Sequence, residues 1–237
     1  MGYTKRSDGR KMDEIRPMRA EVGVVPNADG SALFATGKTV AIATVYGPKE
    51  LHPANKRKQD RALIRCEYHM LPFSVSERAR PGQNRRSKEI GMITENALAA
   101  VVDLKKFPQS VIDVQVLILQ ADAGTRCAGI NAAAMALAHA GIDMKEMVAS
   151  ISIGKIDDKI VVDITKEEED YEEGEGPTDI PFTLTSNGKE CTHLQLDGKI
   201  QTHRFKEAID AAVVACEKVL DVQKRALKGE IVNEGNK

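Results

Sequence analysis

The stretch VIDVQVLILQ ADAGTR CAGINAAAMALAHA, residues 111–140, decides the fold. Residues 111–120 are apolar at almost every position and rich in β-branched side chains, as expected of a central strand buried on both faces. Residues 128–140 are Ala-rich, with side chains small enough for a helix to pack closely on a sheet, and Gly141 marks where that helix should end. Between them the chain must turn, within Gln120-Ala121-Asp122-Ala123-Gly124-Thr125-Arg126, from strand into helix.

Outward from this unit, alternation in residues 20–24, the turn signal Asn27-Ala28-Asp29-Gly30 and the run 39–46 predict a three-stranded antiparallel meander. Residues 62–73 read as a further strand. Ser87 is the expected N-cap of a helix reaching about residue 104, with Ile90, Ile93, Ala97, Leu98 and Val101 on one face. Past the Ala-rich helix come a hairpin (148–153 and 160–164), an acidic loop, a second hairpin (180–185 and 190–196) and a final helix, 204–227. Residues 1–17 are polar and should form an extended arm. No linker or repeat interrupts residues 1–237, so the expectation is one α+β domain with helices covering its sheets.

Composition narrows the function. The 237 residues carry a net charge of −1, yet the charges are segregated. Residues 56–88 hold ten bases against three acids, and residues 163–179 hold nine acids against Lys166 alone. Such runs are either solvated surface or, in turn, a seat for a polyanion and a carboxylate loop that does chemistry or binds metal. With no Trp and 4% aromatics, stacking platforms cannot dominate contact with nucleic acid. The four cysteines form no CxxC pair and read as buried thiols in a reducing cytoplasm. The longest apolar runs are too short to cross a bilayer. The five histidines show no HExxH spacing and no nucleophile elbow is present, which disfavours zinc hydrolysis and acyl transfer.

Three places can carry chemistry. A glycine turn entering a helix offers free backbone N–H groups and the positive end of the helix dipole, so Gly124, Thr125 and Arg126 are candidates to hold one phosphate ion; the plain alternative is a turn capped by Thr125. It lacks the Lys and second Gly of a triphosphate-binding loop. Arg85 and Arg86, at the start of the first helix, are candidates to clamp an RNA backbone phosphate, and Lys56 and Arg57 to guide RNA inward. In the acidic loop a carboxylate can protonate a leaving oxygen or hold Mg²⁺.

Taken together, Ser7-Asp8-Gly9-Arg10, Asp29-Gly30-Ser31-Ala32, Tyr46-Gly47-Pro48, Glu67-Tyr68-His69-Met70-Leu71-Pro72-Phe73-Ser74 and the strand-to-helix turn resemble the RNase PH family, most closely the catalytic RNase-PH-like subunits of archaeal exosomes. The resemblance implies a ribosomal protein S5 domain 2-like α+β fold. It implies 3′-to-5′ phosphorolysis of RNA, with inorganic phosphate as co-substrate and Gly124, Thr125 and Arg126 as its seat. Arg85 and Arg86 would grip the RNA, and Asp170 and Asp179 would be the catalytic acids. The family spaces these acids six apart; here they are nine apart, so Glu173 competes with Asp170 for the first place. The implied partners are single-stranded RNA 3′ ends, a non-catalytic paralogue alternating in a hexameric ring, and RNA-binding cap subunits. A stand-alone tRNA-trimming homohexamer and a silent RNA-binding ring subunit are the rival readings.

Overall fold

The apolar run that opens the reading is β5 (Ser110–Gln120), flanked by β3 (Thr39–Glu50) and β4 (Leu63–Met70). A computed structural model describes residues 3–171, 174 and 176–235. β5 lies within a six-stranded sheet that also holds β1 (Met18–Val22), β2 (Gly30–Thr36) and β10 (Val232–Asn233), in the order β10-β1-β2-β3-β5-β4. β4 and β5 run parallel and the other neighbours antiparallel. The polar interruptions in β5 have partners: Asp113 takes a two-pronged bond from Arg65 (2.7 and 2.8 Å) and the Lys49 ammonium at 2.6 Å.

A second sheet has the order β7-β6-β8-β9, from β6 (Val148–Ile156), β7 (Lys159–Val162), β8 (Pro177–Thr185) and β9 (Cys191–Leu194). α2 (Thr125–His139) lies between the two sheets, touching β2, β3 and β5 on one side and β6 and β8 on the other. This double coverage explains its Ala on every side: twelve of its residues are buried, and a single apolar stripe would leave one sheet facing polar groups. α1 (Arg85–Ala99) covers β4, and α4 (Thr202–Leu227) lies along β6 and β1. Apolar residues of both sheets and all three long helices form one core.

Where α2 meets β6 a polar seam replaces apolar packing. Asn131 exchanges two 2.8 Å bonds with the Ser150 backbone, and Thr183 Oγ1 donates to Ser150 Oγ at 2.9 Å. Asn131, Ser150 and Thr183 are all buried and bonded, so they fix the register of helix on sheet.

Several expectations need correction. Asn84, not Ser87, caps α1: its side chain accepts the Ser87 N–H at 2.7 Å, and the helix stops at Ala99 because Val102 bridges to Met144. The acidic loop contains a short helix, α3 (Lys166–Glu169), closed by a capping box between Thr165 and Glu168. The arm is docked: Arg6, 1% exposed, binds Glu168 and the carbonyls of Val162 and Asp163. Three cysteines are buried, and burial pushes the Cys66 and Cys127 thiols up to about 12, but Cys191 is exposed. No helix among the described residues is long and apolar enough to cross a membrane.

At Gly30 a Cβ would collide with the Ala136 carbonyl of α2, a backbone atom that cannot step aside. Gly30→Ala is therefore expected to cost about 1–3 kcal/mol in chemical denaturation by forcing α2 off the sheet; an unchanged midpoint would show that this contact does not set the packing.

Candidate active site at the start of the central helix

The turn between β5 and α2 is made by two consecutive residues in left-handed conformation, Ala123 (φ 55) and Gly124 (φ 63). Ala pays about 1 kcal/mol or more to stay there, so something must hold it. Thr39 at the start of β3 does so twice, accepting the Asp122 N–H at 2.9 Å and donating to the Ala123 carbonyl at 2.7 Å. Arg16 of the arm adds a 2.5 Å bond to the Asp122 carbonyl, and Asp122 Oδ1 accepts the Lys166 N–H at 3.1 Å. The turn is thereby tied to the acidic segment.

Gly124, rather than Thr125, occupies the N-cap position, and no side chain caps the helix. The Gly124 carbonyl accepts from Ala128, leaving the N–H groups of the first turn available to an anion. Thr125 is buried beneath them. Arg126 is half-buried, and its Nε lies in the interior with no hydrogen-bond partner among the described residues.

Tyr68, at the end of β4, shows what converges here. Burial raises its phenol, while the Thr125 hydroxyl and the charges of Arg86 and Arg126 act to lower it. Arg86 is thus drawn to the same corner as Thr125 and Arg126, and Arg85, one residue earlier on α1, is exposed beside it. Lys56 and Arg57 are elsewhere. They follow β3, whose Glu50 pairs with Ser110 at the far end of β5, about 30 Å of strand from the turn. The Arg57 guanidinium is committed to Glu50 (2.6 Å) and the Leu51 carbonyl (2.7 Å), and Lys56 is exposed.

Asp179 stands on β8, across from Gly154, and accepts a hydrogen bond from the buried Ser152 hydroxyl. Burial pushes its carboxyl above the ordinary aspartate value. The Ser152 bond pulls it down, Glu169 pushes it up, Arg126 pulls it down and Asp197 pushes it up. Arg126 therefore reaches Asp179 electrostatically, and the structure unites the turn with this acid. Asp170 caps the end of α3 with its carboxylate 61% exposed and 2.6 Å from the Lys166 ammonium. The carboxylate of α3 that bears on Asp179 is Glu169, which the sequence reading passed over, as it did Asp197. Their signal was available only in part: the Thr165-to-Glu168 capping box fixes the helical turn that carries Glu169, whereas Asp197 reaches Asp179 through a strand bridge. Glu173 lies outside the described residues, and among those described no three His, Cys, Asp or Glu side chains converge as a metal cage.

Comparison with known proteins gives two matches in tandem: the 3′ exoribonuclease family, domain 1, over residues 14–143, and its domain 2 over residues 146–215. Exosome complex component Rrp41 of Methanopyrus kandleri is 47% identical, covering 94% of this chain and 92% of its own. Its counterpart from Thermococcus kodakarensis is 48% identical, covering 94% and 88%. Among solved structures, rice Rrp46 superimposes with a TM-score of 0.82 at 22% identity, covering 94% of this chain and all of that one. The Archaeoglobus fulgidus exosome with RNA bound to its active site gives 0.79 at 21%, covering 92% of each. These two likenesses show the fold.

Because the Asp179 carboxyl is raised, its ionised form costs stability once the pH climbs past the folded value, and the cost vanishes in acid where both states are protonated. Asp179→Asn keeps an oxygen for Ser152 and removes the charge. It is expected to be more stable than the parent at neutral pH and equal to it near pH 3 in thermal melts; a variant less stable at neutral pH would contradict the raised carboxyl.

Proposed function

The chain belongs to the 3′ exoribonuclease (RNase PH) family, and on that premise we propose that it is the catalytic subunit of an exosome complex and shortens RNA from its 3′ end by phosphorolysis. The observation that carries the reading is the meeting, at one helix N-terminus, of free N–H groups, Arg126, Arg86 and a carboxyl group held ready for protonation. Inorganic phosphate sits on Gly124, Thr125 and Arg126, and Arg85 and Arg86 hold the last phosphodiester of the RNA. A phosphate oxygen attacks that phosphorus, the bond to the 3′-oxygen of the penultimate nucleotide breaks, and the departing oxygen takes a proton. The products are RNA one residue shorter and a nucleoside diphosphate.

Asp179 is the group best suited to supply the proton, since a raised carboxyl is protonated more often at working pH. Asp170 is the second acid of the proposal; Glu169 is its rival, because its charge acts on Asp179, and of the two it holds the shared Lys166 less closely, at 3.4 Å against 2.6 Å. Mg²⁺ would be held by Glu169 and the substrate's own phosphates and would neutralise charge on the scissile phosphate, leaving the Asp179 carboxyl to give the proton. Lys56 and Arg57 serve as outer contacts for incoming RNA. The partners in this reading are RNA 3′ ends, a non-catalytic paralogue in an alternating hexamer and RNA-binding caps. The cysteines described are all free thiols, which fits a reducing, cytoplasmic place of work.

The test is the product. Incubated with RNA, the chain and its ring partner should release nucleoside diphosphates only when phosphate is present; monophosphates, or release without phosphate, would overturn phosphorolysis. Arg126→Ala should lower turnover by about 10²-fold or more with RNA binding kept. Arg85→Ala and Arg86→Ala should each weaken RNA binding and flatten its dependence on log salt by about 0.7. Asp170→Asn should abolish turnover; full activity there together with its loss in Glu169→Gln would move the second acid to Glu169.

A further inference from the structure

β9, the edge strand of the second sheet, carries a side chain that the reaction above leaves unused. His193 pairs across the sheet with Thr183, whose hydroxyl faces α2 through Ser150, so the imidazole is directed to the α2 side. Its Nε2 is buried and has no hydrogen-bond partner among the described residues. The guanidinium of Arg126 is the charge it feels, and Arg126 Nε is itself buried without a partner. Gln195, two residues along the strand, sends its amide nitrogen to Glu89 of α1 at 3.4 Å, while its Oε1 is likewise buried without a partner among the described residues.

Of the enclosed atoms that lack a partner, Arg126 Nε and His193 Nε2 are complementary, and Arg126 is the charge that acts on this imidazole. Arg126 Nε–H can only donate, and a neutral imidazole protonated on Nδ1 accepts at Nε2. We propose that His193 is a positioning residue for phosphate: when phosphate binds, its Nε2 takes up the Arg126 Nε–H, fixing the guanidinium plane so that the two terminal nitrogens fork onto the phosphate ion. The proposal rests on the phosphate seat described above. It gives an arginine that is otherwise held only by its stem a defined orientation, which is what two-pronged recognition of an oxyanion requires.

Protonation would remove the acceptor and set two cations against each other. Burial first, and Arg126 second, hold the imidazole below its ordinary value, so it stays neutral near pH 7. Of the ionisable groups on the elements around it, namely Arg126 on α2, Glu89 and Arg86 on α1, Asp179 on β8 and Cys191 on β9 itself, Arg126 is the one that acts on it.

The measurement is the dissociation constant of inorganic phosphate for the full chain, followed by ³¹P NMR between pH 5.5 and 8, for wild type, His193→Phe and His193→Gln. Phe has the ring without the acceptor, and Gln restores an acceptor. Loss of one hydrogen bond to a charged group predicts weakening by roughly 10-fold in His193→Phe, with affinity largely regained in His193→Gln. The ratio of wild type to His193→Gln, in which the phosphate's own ionisation cancels, should fall as the pH drops. In turnover assays the loss should appear in the KM for phosphate rather than in kcat or RNA affinity. Equal weakening in both variants, unchanged phosphate affinity in His193→Phe that still melts as wild type, or a pH-independent ratio would overturn the proposal. Monophosphate products from wild type would instead overturn phosphorolysis, and phosphate binding would still decide the role of His193.

Discussion

The buried pairing of Arg16 with Asp163 is the constraint on which the site depends. Arg16 meets the two carboxylate oxygens at 2.7 and 2.8 Å, and its backbone N–H adds a third bond at 2.9 Å. Burial works against the charge on Arg16, yet the bonds to Asp163 more than offset it and hold the group firmly protonated. A buried pair of this kind adds little net stability over an apolar substitute, but losing one partner costs about 3–5 kcal/mol. Its value here is geometric. The same guanidinium reaches the Asp122 carbonyl, so the arm, the end of the second sheet and the strand-to-helix turn are held by one group.

From that fixed point the chemistry can be followed outward. Asp163 itself has φ 56, a left-handed aspartate that redirects the chain from β7 into Thr165 and the capping box of α3. Arg6 grips Glu168 from beneath, and Tyr3 Oη donates to the same carboxylate at 2.7 Å. The acidic segment is therefore positioned from the arm side, the phosphate seat from the sheet side, and Asp122 joins them through the Lys166 N–H. Opposite charges that stand dozens of residues apart in the chain, the turn at Arg126 and the acids of α3 and β8, end on two faces of one small space.

Much of this was legible in the sequence because it follows local rules. The continuous apolar run of β5, the glycine that ends α2 and the turn at residues 120–126 depend on period, size and backbone freedom, which a linear reading captures. The placement of α2 between two sheets was not legible: Ala on all sides says that neighbours are close and does not say how many. Ser87 has the side chain of a cap, but Asn84, three residues earlier, accepts its N–H and starts the helix at Arg85. Among the acids, Asp179 was found through its place before Ile180-Pro181, whereas Glu169 and Asp197 bear on it through a helical turn and a strand bridge. The basic stretch misled differently. It looks continuous from 56 to 88, but β4, at the sheet's edge, carries its two halves to opposite ends of the strands, and Arg65 is consumed by Asp113.

The proposed seat for a single phosphate ion lies where the central strand becomes the central helix. A crystal structure of the chain soaked with tungstate, an electron-dense stand-in for phosphate, tests it most directly. Anomalous density is expected within hydrogen-bond reach of the Thr125 and Arg126 backbone N–H groups and the Arg126 guanidinium. Density seated instead on the basic loop at residues 56–58, with the helix start empty, would contradict it.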